Sequence, residues 1–525
     1  MQGKKTFELK IFYELSLDRL VPEDNFYRKI NSELQLGFLY KATSHYYGNC
    51  GQDSIDPVVF FKILLVGYLN NLSSDRALLR FCSDSLAIRL FLGYDLDEEL
   101  PWHSTISRTR ALFGEELFMK LFQKILSLCI DKGMVRGKRQ AVDSAFVKAN
   151  ASMDSLVEKQ VLEDASAFVN ELEENSDYKA LGDAVPTVTP ERKKLIERHH
   201  AWKEKEYKDM PGANKNQDRT DEDGNPLRPK FLSNHTHYSP TDPDAKISVK
   251  PGKARQLNYA GQIAVDDKNH IITGACASTA GSKDSAIMHE IMDRMLENLK
   301  QHGIRTEEAL LDAGYSSGES LEYCEKNGIN AFIPNFGQYK PEREGFEFVK
   351  GKTQEEDYYR CTQKGGKGAV LPFKRILTDS KGYQKKSYRS SERDCRDCPL
   401  RTECCGRVTK FKKIEDSIHK PLYDRMHEKL NRDKNYTRFL TKRRSSTVEP
   451  VLGTLINYHS MRRVNTRGMK NANKHVLMAA LSYNLKKYLK FSARKPQSNV
   501  QMMNLSKGIL RILENRLYQS LKPSF

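Results

Sequence analysis

The chain has 525 residues, with 86 Lys and Arg against 68 Asp and Glu, for a formal charge of +18. Its length suggests about three or four structural units, and 38% hydrophobic residues with 24 Tyr and 23 Phe exclude a wholly disordered chain. The opening MQGKKTFELK lacks the apolar run of a signal peptide, and the strongest apolar run, PVVFFKILLVGYL, is too short to span a membrane, so a cytoplasmic protein is expected.

Residues 1–135 read as helical. Val59, Ile63, Val66 and Leu69 recur at helical spacing, followed by Leu78 and Leu79, with Ser74 and Asp75 as starts for a second helix. Ser104 is placed to cap a helix carrying Arg108 and Arg110. Short helices with a basic one among them suit a helix-turn-helix-like, DNA-binding module. A bundle that only packs on the rest of the chain is the plainer reading.

Residues 139–149, RQAVDSAFVKA, form a strand with Asp143 near its centre, and 151–230 form a charged insertion. LNYAGQIAVDDKNHIITGACAST reads as a hairpin across DDKNH. A helix follows, with Ile287, Ile291, Met295 and Leu299 on one face and Ser282 as its cap; then come strand EALLDAGY with Asp312, helix GESLEYCEKNG and strand INAFIP. This is a mixed α/β order over 136–150 and 231–345. Residues 346–425, polar and cysteine-containing, read as a second insertion. Residues 426–490 return to helix, with eleven Lys/Arg between 431 and 474 against only Asp433 and Glu449. A C-terminal amphipathic helix over 491–525 closes the chain.

The positive balance points to polyanions, because each neutralised phosphate releases a condensed counterion. Charge alone does not separate this from a cationic surface without such a partner. Asp143 and Asp312 lie in or beside apolar strands, where an acid is costly unless it is paired or binds a cation. Glu449 is the natural third ligand of a divalent-metal site, since Mg²⁺ needs only a few carboxylates. Against this, Ser446 stands at capping-box spacing before Glu449, and Pro450 suits a first helical turn. In CRDCPLRTECC, Cys395 and Cys398 have zinc-knuckle spacing, with Cys404 or Cys405 as a third ligand. Reduced thiols in a loop-rich segment are the alternative.

These motifs resemble the DDE-class transposases of bacterial insertion sequences, the group with an RNase H-like catalytic domain. The resemblance spans nearly the whole chain. It rests on LSLDRLVPEDNFYRKI, SIDPVVFFKILLVGYL, AVDSAFVKANAS, SPTDPDAKISVKPGK, LNYAGQIAVD, LLDAGYSSGES, RRSSTVEPVLGTLINYHSMRRVNTRG and AALSYNLKKY. It implies an RNase H-like mixed sheet with flanking helices, interrupted by two insertions, beside an all-α N-terminal domain. It further implies that Asp143, Asp312 and Glu449 hold two Mg²⁺ (or Mn²⁺) ions for DNA cleavage and strand transfer at terminal inverted repeats. A homodimer on double-stranded DNA is expected, associated with the nucleoid. Comparable cysteines in the family make Cys361 the fourth member of a zinc set with Cys395, Cys398 and Cys404.

The family often places an arginine four residues before the glutamate and a lysine seven after it. Here those positions are Ser445 and Ile456, so Arg444 and Arg463 become the candidate phosphate contacts. Two further readings stand beside this one: a transposase-derived DNA-binding protein without catalysis, and an RNase H-like nuclease without strand transfer.

Overall fold

The computed structural model describes residues 15–492 apart from 49–53, most of 162–232, 235, 249–254, 336, 338, 364–367, 380, 381 and 407. Most of the segment expected as a charged insertion and nearly all of the expected C-terminal helix lie outside the described residues. Among the described residues, no helix is long and apolar enough to cross a membrane.

The N-terminal region is helical: α1 (Leu17–Leu20), α2 (Phe26–Glu33), α3 (Phe38–Thr43), α4 (Pro57–Leu69), α5 (Asp75–Asp84), α6 (Leu86–Leu92), α7 (His103–Leu112) and α8 (Glu115–Asp131). Asp56 starts α4 by accepting from the amides of Val58 and Val59, and Pro57 occupies the first turn. α4 buries Phe60, Phe61, Leu64 and Leu65 as well as the expected Ile63, Val66 and Leu69. A helix apolar on all sides belongs at the centre of its bundle. Ser74 caps α5 as expected. Ser104 does not cap α7: the Trp102 carbonyl accepts from Thr105 and Ile106, so the helix begins one residue before Ser104.

The main sheet is built from β1 (Arg139–Lys148), β2 (Gln256–Asp266), β3 (Ile272–Thr279), β4 (Glu308–Leu310) and β5 (Asn330–Phe332), with a short strand Lys246–Ser248 beside the start of β2. β1, β2 and β3 form an antiparallel meander, while β4 and β5 add in parallel on the other side of β1. The expected hairpin is β2–β3. Helix α9 (Asp284–Lys300) buries Ile287, Ile291, Met295 and Leu299. Its cap position is Lys283, without a side-chain hydrogen bond, where Ser282 was expected. Helix α10 (Gly318–Lys326) connects β4 to β5.

Residues 346–425, expected as a second insertion, are more regular than their polarity suggests. Five antiparallel strands, β6 (Phe346–Val349), β7 (Tyr358–Cys361), β8 (Val370–Thr378), β9 (Gln384–Arg389) and β10 (Lys413–Ser417), pair in chain order. Their separate small core holds Tyr359, Leu371, Tyr388 and Ile414.

Helix α11 (Lys420–Arg432) leads into α12 (Lys434–Tyr458), which packs on β1, β2 and β4. The helix start expected around Ser446 and Pro450 is not there. α12 starts at Asp433, whose side chain accepts from Tyr436 N, and runs through Pro450 without a break. Pro450 cannot donate to the helical ladder, but burial of Leu440, Val448, Val451, Leu452 and Leu455 carries the helix past it. A final helix, 469–492, lies against β3. There the Asn484 side chain accepts from Ile272 N at 2.9 Å and donates to Ile272 O at 2.8 Å.

Candidate active site

β1 and β4 run parallel with Ala141 opposite Leu310. Continued two residues, that register sets Asp143 level with Asp312, just beyond the end of β4. Asp143 Oδ1 accepts from Ser144 N at 2.8 Å, and Asp312 Oδ1 from Gly314 N at 2.9 Å. The second bond closes the turn Ala313–Tyr315, so Asp312 shapes its own loop. A β-carbon on Gly314 would lie 3.1 Å from Asp312 Oδ1 and 3.2 Å from Asp284 Oδ2. Glycine at 314 therefore lets two carboxylates approach one point.

Glu449 projects from the middle of α12, one turn beyond Arg444. The Arg444 guanidinium donates to Asp143 Oδ2 at 2.8 Å and to Glu449 Oε1 at 3.4 Å. It joins the first and third expected acids, and it lines a cavity with Asp312, Leu430, Thr437 and Leu440. Burial pushes the Asp143 carboxyl up from the ordinary carboxylate range; Arg444 opposes the shift and Asp312 adds to it. The hard oxygens of Asp143, Asp312 and Glu449 suit Mg²⁺ or Mn²⁺ in chemistry. In this arrangement Arg444 supplies the positive charge between Asp143 and Glu449. Among the described residues, no group of three or more His, Cys, Asp or Glu side chains is close enough to hold a metal ion.

Behind the carboxylates runs a polar network that the sequence reading did not pick out. Asp284, at the start of α9, accepts from Ser144 Oγ at 2.9 Å and Gln262 Nε2 at 3.3 Å. Gln262 Oε1 accepts from Tyr315 at 2.6 Å, and both of these residues are fully buried. Burial holds the Tyr315 hydroxyl well above its usual range, and the negative charges of Asp284, Asp143 and Asp312 reinforce it. The visible signal was Gln262, a polar residue inside the apolar run of LNYAGQIAVD.

The four arginines expected at DNA have different surroundings. Arg108 is exposed on α7. Arg110 is buried, and its guanidinium makes two bonds to Asp75, at 2.9 and 2.7 Å. In α7, residues 108 and 110 point to different sides, and the guanidinium expected at DNA faces α5 in this structure. Arg444 faces the carboxylates. Arg463 is exposed and donates to Asn150 Oδ1 at 3.1 Å. Its loop is anchored to the end of β1 by Lys148 N to Arg462 O and Val464 N to Lys148 O. Further along, Asp242 accepts from Gly468 N and Tyr259 Oη, and Asp244 from Met469 N, which holds the basic segment 462–470 in place.

In the 346–425 segment, Cys361, Cys395, Cys398, Cys404 and Cys405 line one small cavity. Burial pushes the Cys405 thiol up to about 11, with Cys404 and Cys395 adding to the shift. Sharing a cavity is a looser condition than coordination, and the thiols meet only the looser one.

Two family models match the chain. A transposase domain model (DUF772) matches residues 15–112, and a transposase DDE domain model matches residues 366–489. The second match includes Arg444 and Glu449, while Asp143 and Asp312 lie between the two. No curated protein matched the chain.

Proposed function

The chain belongs to the DDE transposases of insertion sequences, and on that premise we propose that it binds the terminal inverted repeats of its element, cleaves there and joins the 3′-ends to target DNA. The observation that carries this reading is the placement of the three acids: Asp143 on β1, Asp312 just beyond the end of the neighbouring parallel strand β4, and Glu449 tied to Asp143 through Arg444. A three-strand antiparallel meander extended by two parallel strands supports an RNase H-like core. The two insertions leave that core between β1 and β2 and after β5.

Asp143, Asp312 and Glu449 would hold the divalent ions. Bound there, such ions supply a water or 3′-hydroxyl activated for in-line attack and neutralise charge on the leaving oxygen. The chain contributes position and charge. β1 and β4 fix the two aspartates, and α12 brings the glutamate over the sheet. Arg444 moves from the carboxylates to a DNA phosphate, which replaces one anionic partner with another. Arg463, on its anchored loop, contacts the backbone further along, and exposed Arg108 contacts the repeat from the helical domain. Arg110 serves that domain as a structural ion pair.

Cys361, Cys395, Cys398 and Cys404 would hold zinc after a small closing movement, since four thiolates around one cavity fit its tetrahedral preference. Two element ends call for two active sites, so the working form is a homodimer on DNA, acting in the cytoplasm on the nucleoid. Incubating the full chain and Mg²⁺ with a duplex carrying the repeat and a plasmid target tests the reading. Joined 3′-ends are expected. Nicking without joining would favour a nuclease, and binding without either would favour a non-catalytic DNA-binding protein.

A further inference from the structure

We propose that Asp284 is a positioning residue that fixes the spacing of Asp143 and Asp312 through Ser144, Gln262 and Tyr315. The inference rests on the carboxylate reading above. Its ground is the way four elements meet at one side chain. Asp284 Oδ1 accepts from Ser144 Oγ and Gln262 Nε2. Ser144 directly follows Asp143, and it stands opposite Gln262 in the antiparallel register of β1 and β2. Gln262 Oε1 then accepts from Tyr315 Oη, and Tyr315 ends the turn that Asp312 begins.

A continuous path of hydrogen bonds thus runs from the residue after Asp143 to the third residue after Asp312. Each buried member has a partner, as a low-dielectric interior requires. Asp284 Oδ2, the oxygen outside this path, faces the space over Gly314 that Asp312 Oδ1 also faces. An acid in a first helical turn gains from the helix dipole wherever it points, and that effect alone gives no reason for contact with two strands and a turn. Without Asp284, Ser144 and Gln262 lose their shared acceptor, Gln262 is free to turn, and Tyr315 no longer ties the Asp312 turn to β2.

The test uses the full chain with four variants. Asp284→Ala removes the acceptor. Asp284→Asn keeps an oxygen at the Oδ1 position, where both hydrogen bonds arrive. Ser144→Ala cuts the link beside Asp143 without touching α9. Asp143→Asn controls for the carboxylate reading. Mn²⁺ binding is read by electron paramagnetic resonance without DNA, repeat-end cleavage is read against Mg²⁺ concentration, and thermal melting checks the fold. Loss of an outer-shell partner typically weakens metal affinity or activity about 10–100-fold. Asp284→Ala should bind Mn²⁺ and cleave more weakly within that range, with unchanged DNA affinity. Ser144→Ala should follow it in part, and Asp284→Asn should stay close to wild type.

Wild-type Mn²⁺ binding and cleavage in Asp284→Ala would overturn the proposal. So would a folded Asp284→Asn as impaired as Asp284→Ala, since charge and not hydrogen-bonded position would then matter. If Asp284→Ala fails to fold, Ser144→Ala and Asp284→Asn decide by the same criteria. An Asp143→Asn protein that cleaves normally would instead remove the carboxylate reading itself, whereas an inactive Asp143→Asn beside a wild-type Asp284→Ala would remove this proposal alone.

Discussion

Arg444→Met should make the protein less stable without metal and more responsive to it. The Arg444 guanidinium lies 2.8 Å from Asp143 Oδ2, and the two side chains are only 14% and 16% exposed. At about 4 Å between charge centres and an effective dielectric near 20, their attraction is about 4 kcal/mol. Removing one partner of a buried pair costs about 3–5 kcal/mol, and the residual solvent contact argues for the lower end, about 3 kcal/mol. Each kcal/mol moves the melting temperature of a domain of 150–250 residues by about 2–4 °C, so a drop of about 6–12 °C is expected in EDTA. The loss depends on pH with a definite sign. Asp143 already has its carboxyl raised by burial, and the variant raises it further. The folded state then holds a proton that the unfolded state has released, so stability falls as pH rises through that window. The defect should be largest at neutral pH and shrink in acid. In wild type, a divalent ion must displace Arg444 from two carboxylates; in Arg444→Met it need not. Mg²⁺ should therefore stabilise the variant more than wild type, with affinity about 10–100-fold tighter by the same ~3 kcal/mol discounted for rearrangement. Differential scanning calorimetry over a Mg²⁺ series reads both effects. Equal stabilisation of the two proteins by Mg²⁺ would refute the reasoning.

Arg108→Ala should weaken binding to repeat DNA and lower its salt dependence by about one ion, as measured by fluorescence anisotropy across a salt series. Arg110→Ala should instead destabilise the helical domain by ~3 kcal/mol through loss of the Asp75 pair, read by denaturant unfolding. Purified protein should carry about one zinc per chain by metal analysis, and Cys398→Ser should release it and sensitise the 346–425 insertion to protease. Burial holds His475 down at about 4, beside Tyr68 Oη at 2.7 Å. Because the unfolded imidazole takes up its proton first, that contribution is complete above about pH 6.5 and is lost as pH falls towards 4, by up to ~3 kcal/mol. His475→Gln should flatten the melting-temperature profile between those values.

Much of the architecture was legible because burial followed simple periods. The face Ile287, Ile291, Met295, Leu299 and the apolar runs of β1 and β2 are buried as their spacing implies. Asp143 and Asp312 stood out because acids are rare in such runs. What the sequence hid was decided by tertiary contact. Pro450 marks a helix start by local rules, yet α12 continues through it because its apolar face packs on the sheet. Arg108 and Arg110 look alike in sequence, and only the approach of Asp75 separates them. The five-stranded sheet of residues 346–417 was obscured by its lysines and by a core of very few residues. Asp284 carried no signal of its own in the sequence, because its partners Ser144 and Gln262 come from two distant segments.

The central claim is that Asp143, Asp312 and Glu449 together form the catalytic centre. Its most direct test is repeat-end cleavage in Mg²⁺ by wild type beside Asp143→Asn, Asp312→Asn and Glu449→Gln, with DNA binding measured in parallel. Each variant should bind the ends at least as tightly as wild type, since removing an acid near phosphate does not weaken attraction. Each should cleave at least about 10²–10³-fold more slowly, the loss that accompanies removal of one transition-state interaction. Normal cleavage by any one of the three would contradict the assignment, and for Glu449→Gln it would leave that residue as an exposed side chain on a packed helix.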